Sequence, residues 1–287
     1  MLFAKGKSLL KDLPNPSLEA KLLLLECTSI PEEQFYSFPK RKLSRSEERQ
    51  FYKLVSKRLT GFPLPYITGV KEFWSIPFSV SPGVLIPRPE TELIVEKVLE
   101  LSSRENETIV DIGTGCGNIA VSLAKELPQA RIVATDTEKK ALRLAKLNAS
   151  RQKVSNIIFA KGSLFSALPR LRLEGKCDFI VSNPPYVSEE EWPKLDIEIR
   201  DYEPKSALVA GKSGLEVIHK LVKGAPPYLK PGGSLFVEIG IGQRDKVLSF
   251  FDFSSVWEEV NFFKDLNGIS RVAMGKTQSV FLKVSLG

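Results

Sequence analysis

The 287-residue chain carries 41 Lys/Arg against 34 Asp/Glu, a net charge of +7, and 43% hydrophobic residues, the balance of a globular protein with room for one large and one small domain. No run reaches the roughly 18 apolar residues of a membrane span, and the start lacks a signal peptide's apolar core and cleavage site, so a cytoplasmic chain is expected. One histidine, His219, and three scattered cysteines, Cys27, Cys116 and Cys177, argue against a zinc centre and for reduced thiols rather than a disulfide frame.

Residues 1–60 read as helical. Ser17 is placed to cap a helix through Leu18, Leu22 and Leu25 that stops at Pro31. Ser44-Arg45-Ser46-Glu47 has the capping-box pattern, and Phe51, Leu54, Val55 and Leu59 then recur at helical spacing. Residues 1–70 hold twelve Lys/Arg against seven Asp/Glu. That excess suits docking on an acidic protein or a nucleic acid, although a solvated, lysine-rich helix surface is the simpler reading.

From Gly61 to Pro89 prolines recur, and two short β-like runs, 70–74 and 76–80, pair as a hairpin in a stiff connector. Pro87-Arg88-Pro89-Glu90-Thr91-Glu92 leads into a helix with Leu93, Ile94, Val98 and Leu99 on one side. Strands and helices then alternate, the signature of a parallel α/β sheet. Strands are expected at 108–112, 131–135, 157–160, 178–182 and 234–239, and helices at 117–126, 138–150, 214–228 and 242–250. His219 falls in the third of these helices beside Leu215, Ile218 and Val222 and is read as structural. Late strands at about 256–263 and 270–274 form an antiparallel edge. Residues 277–286 are a further strand or a tail.

Two motifs carry chemistry. Asn183-Pro184-Pro185-Tyr186 ends the run 178–182. Each proline fixes its own φ and biases the preceding residue away from the α region. The prolines lack N–H, so the corner offers an amide oxygen, bare carbonyls and an aromatic face at a strand's C-terminal end, where ligands bind in open sheets. Two acceptors suit the two hydrogens of a flat –NH2 group. By itself the corner is equally a rigid strand-ending turn.

The second motif is Val110-Asp111-Ile112-Gly113-Thr114-Gly115-Cys116-Gly117-Asn118. A Gly-rich strand-to-helix turn permits close approach of a ligand. Its Gly-x-Gly-x-Gly spacing, with Asp111 before it, fits a cofactor without a pyrophosphate. Asp136, at the end of the next strand, is placed to accept both hydroxyls of a ribose; a strand-end Asp capping the following helix is the structural alternative.

Together these motifs resemble the class I S-adenosylmethionine-dependent methyltransferases, and the Asn-Pro-Pro-Tyr corner resembles their amino-methylating branch. Gly61-Phe62-Pro63-Leu64-Pro65-Tyr66-Ile67-Thr68-Gly69, Glu72-Phe73, Leu85-Ile86-Pro87-Arg88-Pro89-Glu90-Thr91-Glu92 and the ending Lys264-Asp265-Leu266-Asn267-Gly268-Ile269-Ser270-Arg271-Val272 resemble the PrmC/HemK family over nearly the whole chain.

The resemblance implies an α/β fold: a Rossmann-like seven-stranded methyltransferase domain (87–287), a β-hairpin linker (61–86) and a small all-helical substrate-recognition domain (1–60). It implies methylation of the Gly-Gly-Gln glutamine of peptide-chain release factors, with S-adenosylhomocysteine as product; a monomer is expected, and nucleic acid is not expected as substrate, although the sequence itself does not fix the oligomeric state. Gly113, Thr114, Gly115, Cys116 and Gly117 would surround the methionine part of the cofactor, and Asp136 would hold the ribose. Leu164 or Phe165 would cover the adenine. Asn183, Pro184, Pro185 and Tyr186 would bind and activate the glutamine, Asn183 also touching the cofactor. A ribosomal-protein glutamine and the exocyclic amine of adenine in nucleic acid present the same –NH2 geometry and stand as alternative substrates. The cofactor fold without its chemistry is a third reading, opposed by the intact Asn183 and Tyr186.

Overall fold

A computed structural model describes residues 2–28, 30, 31, 33, 43–252 and 255–279. The chain forms two compact units, 1–70 with 196–202, and 71–195 with 203–287. The segment expected as a linker divides between them at Val70.

The first unit is helical, with α1 (Leu2–Leu9), α2 (Pro16–Thr28), α3 (Arg45–Leu59), α4 (Leu64–Thr68) and the short helix Ile197–Arg200. Leu10, Ala20, Leu23, Phe51 and Val55 form its core. The capping box at Ser44 is present: Glu47 N donates to Ser44 Oγ at 3.2 Å, and Ser44 N donates to Glu47 Oε2 at 2.7 Å. Helix α2 starts at Pro16, ahead of the Ser17 expected to cap it, because proline is preorganised for a helix's first positions and its missing N–H costs nothing there. Arg58 is buried, and donates to Glu19 at 2.7 and 2.9 Å and to Glu198 at 2.5 Å, so the removed charge keeps its partners.

The second unit begins with a hairpin, β1 (Val70–Phe73) and β2 (Ile76–Ser79), followed by α5 (Glu92–Leu101). Then come β3 (Thr108–Ile112), α6 (Asn118–Glu126), β4 (Arg131–Asp136), α7 (Lys139–Arg151), β5 (Ile157–Lys161), β6 (Cys177–Ser182), β7 (Val187–Ser188) and β8 (Val209–Gly211). The unit ends with α8 (Glu216–Gly224), β9 (Leu229–Glu238), α9 (Arg244–Asp252), β10 (Trp257–Lys264) and β11 (Ser270–Thr277). Seven strands join in the order β10-β11-β9-β6-β3-β4-β5. The five from β9 to β5 are parallel, and β11 runs antiparallel to β9 and β10. Apolar side chains on both faces form two cores, one around Ile109, Leu123 and Ile132 and the other around Val110, Ile180 and Leu221. That two-sided burial is why the parallel strands read as continuous apolar runs.

Helix α8 is shorter than the expected 214–228, since Pro226 and Pro227 follow its end. His219 on α8 packs against the Phe250 ring at 4.9 Å. The possible strand over 277–286 begins in the last residue of β11 and runs from 280 onward outside the described residues. Cys27, Cys116 and Cys177 are unpaired thiols. Among the described residues no helix is long and apolar enough to cross a membrane.

Candidate active site

From β3 the chain steps outward through β4 to β5, then returns to the other side of β3 with β6. The C-terminal ends of β3 and β6 therefore flank a topological switch point, the ligand crevice of open α/β sheets. Ser182 Oγ donates to Ile112 O at 2.7 Å and ties these ends together. A cavity of about 300 Å³ sits there. Gly113, Thr114 and Gly115 after β3, Asp136 at the end of β4, Leu164 after β5 and Asn183, Pro184 and Pro185 after β6 line it. The 83–88 segment lines it as well. Glu203 holds that segment by accepting from Ile86 N at 3.1 Å and Arg88 at 2.5 Å.

The glycine turn is built for bare backbone. Gly113 and Gly115 have φ of +76° and +56°, and an added Cβ at either would meet nothing within 4 Å. A side chain there would take ligand space, as expected of a cradle for a small cofactor. Gly113 N and Thr114 N both donate to Thr135 O at 2.9 Å, which ties the turn to β4. Asp111 lies beneath the turn, fully buried, and accepts from Thr114 Oγ1 at 2.6 Å. Burial pushes its carboxyl up to about 7, against the lowering effect of that bond. It shapes the turn rather than facing the cavity.

Cys116 and Gly117 do not line the cavity. Cys116 is buried in the core, and its carbonyl accepts from Asn148 at 2.8 Å. Gly117 abuts α7, where an added Cβ would lie 2.9 Å from Ala145 Cβ. Asp136 faces the cavity and also accepts from Gly115 N at 2.9 Å and Glu138 N at 2.8 Å, so it stands at the wall and orders its local turns. Burial raises its carboxyl above the ordinary value.

Leu164 and Phe165 separate. Leu164 takes a left-handed φ of 50° and lines the cavity, a conformation uncommon outside glycine. Phe165 points elsewhere and stacks on Tyr228 at 5.3 Å.

At the corner, Asn183 is half-buried and its Nδ2 donates to Thr91 Oγ1 at 2.9 Å. Thr91, fully buried ahead of α5, donates to Glu238 Oε2 at 2.6 Å. The Tyr186 hydroxyl donates to the other oxygen, Oε1, at 3.2 Å. Tyr186 lies off the main cavity and lines a smaller recess with Leu85, Arg88, Asn183, Pro184, Ala207 and Leu208. Gln243 Nε2 donates to Tyr186 O at 2.9 Å and fixes the chain leaving the corner.

Sequence reasoning passed over Thr91 and Glu238. A signal for Glu238 was present, for it is a carboxylate that directly follows the apolar run Leu235-Phe236-Val237 within β9. Lone charges buried among apolar neighbours are rare without partners.

Residues 2–69 match the PrmC N-terminal domain family model, and residues 89–197 match the Methyltransferase small domain. Among solved structures, a methyltransferase from Pyrococcus furiosus aligns with TM-score 0.53 at 20% identity, covering 80% of this chain and 98% of that one. The hMettl16 catalytic domain in complex with MAT2A 3'UTR hairpin 6 aligns with TM-score 0.58 at 16% identity, over 72% of this chain and 77% of that one. These likenesses establish the methyltransferase fold. The release factor glutamine methyltransferase of Koribacter versatilis is 39% identical over 92% of both chains. That of Geobacter sulfurreducens is 40% identical over 93% of this chain and 91% of its own. With such identity sustained through both units, and the helical module matched as well as the sheet, the chain belongs to the release factor glutamine methyltransferase family.

Proposed function

We propose that the chain transfers a methyl group from S-adenosylmethionine to the side-chain amide nitrogen of the Gly-Gly-Gln glutamine of peptide-chain release factors. Relatives at 39% and 40% identity bear the name release factor glutamine methyltransferase. One observation carries the site assignment: the Asn183 amide is tied by its nitrogen to Thr91, which turns its oxygen side away from that anchor, at the mouth of the glycine cradle. Such a substrate places the enzyme in the cytoplasm, where its cysteines stay reduced. The helical unit, with its basic excess, is the surface we assign to recognition of the release factor.

The bare Gly113–Gly115 backbone, the Asp136 carboxylate and the apolar Leu164 fit an amino acid joined to a nucleoside. Gly113, Thr114 and Gly115 would hold the methionine part, Asp136 the ribose and Leu164 the adenine. When bound, S-adenosylmethionine supplies a methyl on a sulfonium, an electrophile whose departing half is the neutral S-adenosylhomocysteine.

An amide nitrogen is a weak nucleophile because its lone pair is delocalised into the carbonyl, so the protein must supply orientation above all. Asn183 Oδ1 and the Pro184 carbonyl accept the two amide hydrogens. They hold the nitrogen in line and stabilise the positive charge that builds there. The Tyr186 ring, anchored through its hydroxyl, limits rotation of the flat amide. The methylated nitrogen is acidic enough to release its proton to water, so no strong base is required.

Asn183→Ala removes the acceptor. Its kcat should fall about 100-fold or more, the scale of a lost transition-state contact, while cofactor affinity by calorimetry changes far less. The readout is the mass of the Gly-Gly-Gln peptide, which gains one methyl with the unaltered protein. Wild-type turnover in the variant would remove Asn183 from this role. Label in nucleic acid rather than in release factor would replace the substrate.

A further inference from the structure

We infer that Thr91 and Glu238 are positioning residues for the transfer: they set which way the Asn183 amide faces. The inference rests on the reading of Asn183 as the acceptor for the substrate amide.

Hydrogen-bond direction sets the order of these groups. An ionised carboxylate only accepts, and a hydroxyl has one hydrogen to give. Glu238 Oε2 lies 2.6 Å from Thr91 Oγ1, so the hydroxyl spends its hydrogen on the carboxylate. Its lone pairs are then all that it can offer Asn183, 2.9 Å away. Asn183 must present Nδ2 to Thr91, and its oxygen to the other side. The flipped amide would set oxygen against oxygen with no hydrogen between them. Glu238 also holds the Tyr186 hydroxyl at 3.2 Å, so one carboxylate orients both polar side chains of the corner. Thr91 is 0% and Glu238 2% exposed, so water does not compete for these bonds. The three groups come from β9, the segment before α5 and the end of β6, and packing of the sheet unit fixes their separation.

The charge state of Glu238 decides whether the device works. Burial pushes its carboxyl up to about 7, with the bonds from Thr91 and Tyr186 pulling down. Glu90, beside Thr91, pushes it up, and Arg271 on β11 pulls it down. The Tyr186 phenol is itself held protonated, chiefly by burial. A protonated Glu238 has a hydrogen of its own to donate and no longer dictates the direction of the Thr91 hydroxyl.

The test is steady-state kinetics on a release factor, with cofactor affinity measured separately. Thr91→Val keeps the shape and deletes the hydroxyl. Its kcat should drop about 10- to 100-fold, the usual consequence of a lost hydrogen bond to a group that must stay oriented. Cofactor affinity should hold within about threefold, since the cradle is untouched. Thr91→Ser restores the hydroxyl and should recover most of the loss. Glu238→Gln should lower kcat and abolish the fall in kcat expected of the unaltered enzyme below about pH 7, where Glu238 takes up its proton. If Thr91→Val does not fold, the Glu238→Gln pH profile stands alone as the test. An inactive Asn183→Ala beside a fully active Thr91→Val, a Thr91→Ser as slow as Thr91→Val, or an unchanged acid limb in Glu238→Gln would each overturn the inference. A fully active Asn183→Ala would instead sink the site reading on which it rests.

Discussion

Asp136 combines two duties in one carboxylate. It accepts from Gly115 N and Glu138 N while standing at the cavity wall. Each carboxylate oxygen has a lone pair left after its backbone bond, so the structural and the ribose-binding readings of this residue do not compete. Asp136→Asn separates them from a lone capping role. An amide has one acceptor oxygen, so its NH2 would face one of the two backbone N–H donors. We expect cofactor binding to weaken by about 1.5–3 kcal/mol, the range for a hydrogen bond to a charged group, as read by calorimetry. A modest fall in Tm should accompany it. Loss of Tm with unchanged cofactor affinity would leave Asp136 as a turn-former only.

At the scale of elements, the turn from β3 into α6 uses its three glycines for two purposes. Gly117, with φ of +86°, lets α6 approach α7, and an added Cβ would lie 2.9 Å from Ala145 Cβ and 3.1 Å from Ala145 Cα. Gly113 has open space at the same position and lines the cavity. Gly117→Ala should therefore destabilise the fold by about 2–4 kcal/mol, overpacking added to left-handed strain, seen as a lower urea midpoint. Gly113→Ala should lose less stability and more cofactor affinity. Equal effects in both assays would mean the turn acts as one unit. The elements of this sheet were legible in the sequence because parallel strands buried on both faces are apolar runs bounded by turn residues, as in 108–112 and 178–182. The strands β7 and β8, of two and three residues, are too short for any periodicity. The grouping of 196–202 with the helical residues depends on contacts distant in sequence, such as Tyr202 OH donating to Thr60 O at 2.9 Å. The places of Gly113, Gly115, Asp136 and Asn183 around the cavity could be read locally, since each stands at the C-terminal end of a strand in its own motif. Thr91 could not, and of Glu238 only its burial was legible, because the role inferred for the pair exists only once three distant segments meet.

For the molecule as a whole, the two carboxyls buried beside the site, Asp111 and Glu238, tie folding stability to pH. Burial raises both to about 7 from ordinary values of 3.8 and 4.5. Between those ordinary values and about 7 the folded chain holds protons that the unfolded chain has released, so stability falls as pH rises through that window. The contribution is complete below about pH 4 and gone above about 7, on the order of a few kcal/mol for the pair. Carboxylates held low act in the opposite sense. Glu191, bonded to Ser188, and Asp265, bonded to Arg271, lose their stabilising effect as pH falls through the acid range. Thermal stability should therefore peak near pH 5, with Tm lower by several degrees at pH 8, since a few kcal/mol in a domain of this size moves Tm by that much. Catalysis should move the other way, because an ionised Glu238 is the form that orders the corner. Glu238→Gln removes one of the two titrating groups, so its Tm should fall less between pH 5 and pH 8 than that of the unaltered chain. At pH 8 the variant should melt no earlier, even as it turns over more slowly. Melting curves of both proteins at the two pH values decide the matter: parallel pH dependences would mean that Glu238 does not titrate in this window.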